Sequence, residues 1–278
     1  MKQTNVDAPR KRHALPSWLT VAVTGGAFVA LALLEMRRPL RRQREAKGRR
    51  VARNGTLAAI AAATTSALQI PLLQPVARRV EERRLGLLHA LPVPRPARVA
   101  LGVLLLDYTL WWWHWLNHEV PLLWRFHLVH HVDRDMDAST ALRFHFGEMA
   151  LSVVFRAAQF RILGIDPLAA SLWQTALLAS ILFHHANLEL PPDIERRLVR
   201  VLVTPRMHGI HHSDVHAHTD SNWASLLSCW DMLHGTFRLD VPQEAITIGV
   251  AAWQQPGDVT LPALLAMPFR PQRDDWSR

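Results

Sequence analysis

The sequence predicts an all-α, polytopic membrane protein with about four to five membrane-spanning or membrane-embedded helices and a cytoplasmic, helical, histidine-rich cap. Three observations carry this expectation. Long uncharged stretches alternate with dense arginine clusters along 278 residues. The clusters flank the apolar stretches and leave 32 Lys+Arg against 23 Asp+Glu, a formal net charge of +9. Finally, 14 of the 16 histidines fall between His114 and His234. An apolar content of 49% excludes intrinsic disorder, and the lack of any internal period excludes a repeat array. A single cysteine, Cys229, excludes a disulfide framework, a Cys-ligated zinc site and an iron–sulfur cluster.

Residues 14–34 hold 21 uncharged positions rich in Val, Ala and Leu. As a helix they would run about 31 Å, enough to cross a hydrocarbon core of about 30 Å. A cleaved signal peptide fits less well, because Glu35-Met36-Arg37-Arg38 offers no small-residue cleavage site. A second uncharged stretch, 54–77, is alanine-rich and interrupted by Pro71 and Pro75. A third, 99–113, carries only Asp107, and 149–163 with 167–183 reads as a hairpin turning at Gly164 and Pro167. The chain then divides into an N-terminal anchor region with two transmembrane helices (1–98), a histidine-rich domain (99–240) and a C-terminal tail (241–278). In the tail, Trp253, several prolines and the apolar run 261–267 suggest a loose cap or an interfacial segment.

Residues 37–50 carry eight Lys/Arg, which should hold that loop in the cytoplasm. The helix over 99–113 would then run inward and deliver His114 and everything after it to the cytoplasmic side. The loop 78–98, with six arginines, would face outward against the same rule. High arginine content and simple loops suggest a bacterial inner membrane. Because the arginines flank apolar spans instead of forming one basic face, anionic lipid head groups account for them and nucleic acid does not.

Four histidine groups stand out: His114-x-x-x-His118, His127-x-x-His130-His131, His184-His185 and His208-x-x-His211-His212. On a helix, residues three and four apart share a face, so 114/118, 127/131 and 208/212 can each converge on one point. Neutral imidazole suits iron, zinc and copper. So many imidazoles exceed one mononuclear site and suit two metals a few ångströms apart. His13, His89, His216 and His218 lie outside these groups. Other chemistries fail on missing residues. His118-Glu119 lacks the second histidine of a zincin, and no Glu-x-x-His, G-x-S-x-G, Walker loop, C-x-x-C-H or G-x-G-x-x-G occurs.

These blocks resemble the fatty acid hydroxylase/sterol desaturase superfamily of integral-membrane di-iron oxygenases. The match starts at Asp107-Tyr108 leading into His114-x-x-x-His118 and passes through Leu123-Trp124-Arg125-Phe126-His127-x-x-His130-His131. It continues with Thr140-Ala141-Leu142-Arg143-Phe144-His145 and Glu148, then Phe183-His184-His185-Ala186-Asn187. It ends on Thr204-Pro205-Arg206-Met207-His208-x-x-His211-His212, Asp220-Ser221-Asn222 and Trp230-Asp231-x-x-x-Gly235-Thr236. The chain departs from the family's pattern at Trp115, Phe146 and His234.

The resemblance implies two iron ions held by His114, His118, His127, His130, His131, His208, His211 and His212, with His185 as the ninth ligand. His145 and His184 stand as further ligands or as groups that orient one. Asp107, Asn187, Asn222 and Asp231 are candidates to accept hydrogen bonds from ligating imidazoles, and Trp111–Trp113 reads as an interfacial anchor. The resemblance further implies O2 as co-substrate and hydroxylation, less readily desaturation, of an unactivated C–H bond in a lipid such as a fatty acyl, sterol-like or aminolipid chain. With no electron-carrying motif of its own, the chain would need a separate ferredoxin or reductase, and a basic surface suits an acidic donor. The competing class is a non-catalytic membrane metal-binding or transport protein. A transporter places ionisable residues within several spans, whereas here they collect at helix ends.

Overall fold

The computed structural model describes residues 14–274 and 276. Among them helices dominate, and extended pairing is limited to three isolated bridges. Helix α1 (Ser17–Arg37) runs toward the histidine end of the molecule, where Glu35 accepts from the backbone N–H groups of Ala138 and Asn187. Its flanks leave Trp18, Val21, Val29 and Met36 exposed, an apolar surface that only lipid would cover. Along its inner side it lies against α8 (Pro167–His185), joined by Leu15 N–H to Ser171 and by the Thr20–Thr175 hydroxyl pair.

Helices α2 (Lys47–Thr64) and α3 (Ile70–Arg83) form one continuous rod through a π-helical turn at Thr65–Gln69. Pro71 was expected to interrupt this stretch. Its missing N–H and bulky ring are instead absorbed by the wider turn just before it. That turn points Gln69 inward, where its amide donates to Met149 O at 2.7 Å and Ser152 Oγ at 2.8 Å. The rod ends at left-handed Arg84 and is followed by the single turn α4 (Leu87–Ala90).

Helix α5 (Arg95–Glu119) returns to the histidine end, α6 (Pro121–His131) lies across it, and α7 (Phe146–Leu163) leaves again. Left-handed Gly164 closes α7, and Asp166 caps α8 by accepting from Leu168 N–H at 2.8 Å, with Pro167 at the first helical position. A Cβ on Gly164 would lie 2.5 Å from Leu85 O, and one on Gly86 would lie 2.4 Å from Gly164 N, so the two far-end turns meet only through glycine. Beside them Arg95 pairs with Asp166 at 3.0 Å, which ties down part of the expected outward arginine loop.

The remaining helices are short: α9 (Pro192–Leu198), α10 (Pro205–His211), α11 (His216–Thr219), α12 (Cys229–His234) and α13 (Leu261–Ala266). Among the described residues, three segments are long and apolar enough to cross a membrane: Ser17–Arg37, Lys47–Ala90 and Pro167–His185. Helices α5 and α7 have the length but carry Asp107, Glu148, Arg156 and Arg161; α5 packs on α8 and α7 on the α2–α3 rod. The chain is a polytopic integral membrane protein.

Two sequence expectations need correcting. The tail is not loose: Val250, Trp253, Val259, Leu264 and Met267 are buried with Trp124, Leu128, Val129 and Val132 around α6. The region before residue 98 is also more than an anchor, since Leu57 joins that same core. Arg50 and Asn54 reach a fully buried cluster with Asp133, Asp137, Ser139, Thr140 and Arg143. Burial alone would raise the Asp133 carboxyl, but Arg50, Arg143 and Arg53 hold it below its ordinary value.

Candidate metal centre

Helix geometry turns the histidine spacings into two facing groups. His114 and His118 sit on the last turns of α5, His127, His130 and His131 on α6, His184 and His185 at the end of α8, and His208, His211 and His212 on or just past α10. Thr204 caps α10 with Pro205 at its first position, so the H-x-x-H-H run starts directly on a formed turn. Ligand nitrogens of His114, His118, His127 and His131 lie within 4.8 Å of one another, and so do those of His130, His185, His208 and His212. His211 joins the first group, with Nε2 3.1 Å from that of His114. The groups abut, the rings of His131 and His212 stacking at 4.3 Å.

The donor set fits metal on several counts. In the second group Nε2 atoms face each other at 3.1 Å in the pairs His130–His185, His185–His208 and His208–His212. Two imidazoles at right angles around one ion, each about 2.0–2.1 Å from it, have their nitrogens about 3 Å apart. Buried Nε2 atoms of His118, His127 and His131 have no partner of their own. On five of the rings the opposite edge is held. Nδ1–H of His114 donates to Trp223 O at 2.7 Å, that of His211 to Ser221 O at 2.8 Å and that of His185 to Ile181 O at 2.8 Å. His130 donates to Arg143 O and His127 to Glu148 Oε1, each at 3.2 Å. A carbonyl can only accept, so each such bond fixes the proton on Nδ1 and turns the Nε2 lone pair inward.

Burial, followed by repulsion among neighbouring imidazoles, pushes His130, His131, His208 and His212 well below their ordinary values. Burial brings His211 down to about 3. Neutral imidazole is the form that ligates metal.

The other predicted residues lie elsewhere. His145 is outside both groups and caps α7, its Nδ1 accepting from Gly147 N–H at 3.0 Å while Nε2 meets Leu265 O at 3.3 Å. His184 lies tilted against His208, ring centroids 4.1 Å apart, but is not among the converging nitrogens. Asp107, Asn187, Asn222 and Asp231 bond no imidazole; Asn222 and Asp231 hold the 221–224 backbone that does, and the other two tie neighbouring segments together. Asp107 accepts from Leu227 N–H and Trp230 Nε1, and Asn187 ties the end of α8 to Arg41. Asp231 gathers Trp111 Nε1, Trp223 N–H, Ala224 N–H and the Thr236 hydroxyl. Asn222, at a positive φ of 56°, bonds Met207 O and Arg238, placing the carbonyls on either side of it under His211 and His114.

Sequence reasoning gave no role to Glu148, although it quoted the residue within a motif. A carboxylate one turn into a helix that starts beside the histidines was the available signal. The expected tryptophan anchor divides as well: Trp111 is buried, Trp112 is exposed and Trp113 packs on Phe155.

The centre opens into a cavity of about 820 Å³ walled by the π turn with α3, α5, α7 and α8. His114, His127, His130, His185 and His208 line one end, and Leu73, Trp113, Phe160, Leu177 and Ile181 make the apolar walls.

A membrane-embedded helical bundle with two histidine clusters over an apolar cavity defines the class. Residues 99–236 match the fatty acid hydroxylase family, and the chain belongs to it. It is 33% identical over 180 residues to ornithine lipid hydroxylase OlsE of Rhizobium tropici, covering 63% of this chain and 51% of that protein. It is 31% identical over 140 residues to human alkylglycerol monooxygenase, covering 50% and 30%. With human cholesterol 25-hydroxylase it shares 29% over 139 residues, 49% of each chain. The matches thus span about half the length of these relatives, and less for the monooxygenase. No solved structure matches.

Proposed function

We propose that the protein is an O2-dependent di-iron oxygenase that hydroxylates an unactivated C–H bond of a membrane lipid. The observation that carries this reading is the junction of two histidine clusters with an apolar cavity inside a membrane-embedded bundle. The relatives' printed names, a hydroxylase or monooxygenase in each case, support it. Overall, R–H + O2 + 2 e⁻ + 2 H⁺ gives R–OH + H2O. Iron held by these histidines would supply the O2 activation and oxidising power that break the C–H bond.

The chain's own residues position and exclude. His114, His118, His127, His131 and His211 would hold one ion and His130, His185, His208 and His212 the other. Trp223 O, Ser221 O, Ile181 O, Arg143 O and Glu148 fix the rings. The cavity's apolar walls exclude bulk water from the reacting carbon. Lipid would enter laterally from the bilayer.

The basic loop 37–50 lies at the histidine end: Arg41 donates to Pro205 O, and Arg44 N–H to Asp135. By the positive-inside rule this supports a cytoplasmic histidine face, and arginine-rich loops support a bacterial inner membrane. A separate ferredoxin or reductase would deliver the two electrons to that face.

The test is mass spectrometry of lipid extracts from cells expressing the protein or its His208→Ala variant. A lipid that gains one oxygen with the wild-type chain alone supports hydroxylation, and loss of two hydrogens would redirect the reading to desaturation. Protein that loads metal while every lipid stays unchanged would sink the enzyme reading in favour of metal binding alone.

A further inference from the structure

Arg156 enters the cavity from α7, ten residues beyond its first residue, Phe146, and thus near mid-helix. Apart from the imidazoles, Glu148 and Arg156 are the ionisable side chains on the cavity wall. Glu148 is engaged by His127. Arg156 has no hydrogen bond or ion pair with any described residue. Its guanidinium lies over the ring of Trp173, Cζ 4.8 Å from the centroid, and that ring is itself 2% exposed.

A ring face satisfies charge in part but accepts few of the five guanidinium N–H bonds. A cation at mid-membrane depth inside a bundle is costly and is normally paired or turned to a ligand. The buried arginines Arg50, Arg143 and Arg98 each have polar partners: Arg50 pairs with Asp133 and Asp137, Arg143 bonds Asn54 and pairs with Asp133, and Arg98 bonds His89 and Val93 O. Arg156 differs from them by facing open space. Gln174 and Ser171 of α8 also line the cavity.

We propose that Arg156 binds an anionic oxygen group, carboxylate or phosphate, carried by an apolar chain whose remainder lies along the cavity toward the histidines. Arg156 follows Glu148 by eight residues, about 12 Å of helix rise, and Trp173 precedes His185 by twelve, about 18 Å. The carbon presented to the centre is therefore remote from the anion, on the order of ten carbons away for C–C bonds of about 1.5 Å in a zigzag. A guanidinium suits planar, bidentate recognition of either anion, which an ammonium would meet as a point charge. The inference deepens the lipid-oxygenase reading by naming a substrate class, and it rests on that reading for the meaning of the distance.

Binding can be measured without turnover. The full chain, purified in detergent, is titrated with labelled hexadecanoate, hexadecyl phosphate and hexadecanol, alongside Arg156→Gln and Arg156→Lys. The wild-type chain is expected to bind one or both anions at least tenfold more tightly than the alcohol. Which anion leads identifies the head-group chemistry. Arg156→Gln should erase that preference while leaving hexadecanol binding and metal content unchanged, and Arg156→Lys should keep part of it. No preference in the wild-type chain, or a preference that survives in Arg156→Gln, overturns the inference. Equal loss of acid and alcohol binding in Arg156→Gln and Arg156→Lys also overturns it, by assigning the residue a structural role. A chain that shows the preference yet never oxidises lipid defeats the oxygenase reading and leaves the anion site standing. Lipid oxidation with unchanged preference in Arg156→Gln does the reverse.

Discussion

At the histidine end of the cavity, Nδ1 of His114, His130, His185 and His211 each donates to a backbone carbonyl, and His127 donates to Glu148. At the α7–α8 end, Arg156 touches only the ring of Trp173. The first arrangement uses protein groups to fix the outward edges of these five rings and leaves their inner edges for an ion. The second leaves the whole polar head of a side chain unassigned. Where the fold completes its own bonds around a polar group, it is building a support. Where it stops short, it is leaving room for something it does not contain.

The sharpest break of this contrast comes from the imidazoles themselves. His211→Ala removes a member of the first group and His212→Ala one of the second. Each should lower the metal content from two ions toward one per chain, read by elemental analysis, with turnover falling more than about 100-fold, beyond what losing a supporting group costs. If both variants keep two ions, the two-group partition is wrong.

Next comes the buried network behind the second group. Asp133→Leu leaves Arg50 and Arg143 without their anion and should cost about 3–5 kcal/mol in denaturant unfolding. Arg50→Met combined with Asp133→Leu should cost less than the single change, because the pair is then replaced together.

A smaller effect isolates a support from a ligand. Glu148→Gln keeps the shape but weakens the acceptor for His127, and metal affinity should fall about 10- to 100-fold without loss of stoichiometry. Unchanged affinity would make Glu148 a bystander.

A last measure is the pH dependence of the metal-stripped protein. Burial lowers the folded-state values of His130, His131, His208, His211 and His212, so protons bind the unfolded chain more readily. The stability contribution is whole above the unfolded value near 6.5. It is lost as pH falls below that, by up to about 1.4 kcal/mol per pH unit per histidine. Thermal melts should therefore hold from pH 8 to about 6.5 and fall below that without metal, and hold to lower pH with it, since the ion competes with protons.

Local features of the chain were legible in the sequence. The H-x-x-H-H spacings lie on α6 and α10 because helical period alone puts those rings on one side, and Asp166-Pro167 announces the start of α8. What stayed hidden joins residues far apart in the chain. Asp231 bonds Trp111 across 120 positions, and Arg50 reaches Asp133 across 83. No spacing rule records such meetings. Asp107 was a candidate to accept from a ligating imidazole, and it instead accepts from Leu227 N–H and from Trp230 at the start of α12. His145 stood as a ligand or as a group that orients one, and in the fold it caps α7.

The π turn at Thr65–Gln69 bears on how this wall tolerates length change. A wide turn holds a residue that a regular helix would not need, so deleting one residue there would restore α-helical winding and rotate all of α3 by about 100°. Gln69, Leu73 and Ala77 would then leave the cavity together. One insertion or deletion at this point would thus reshape the cavity wall in a single step, with no side chain on that wall substituted.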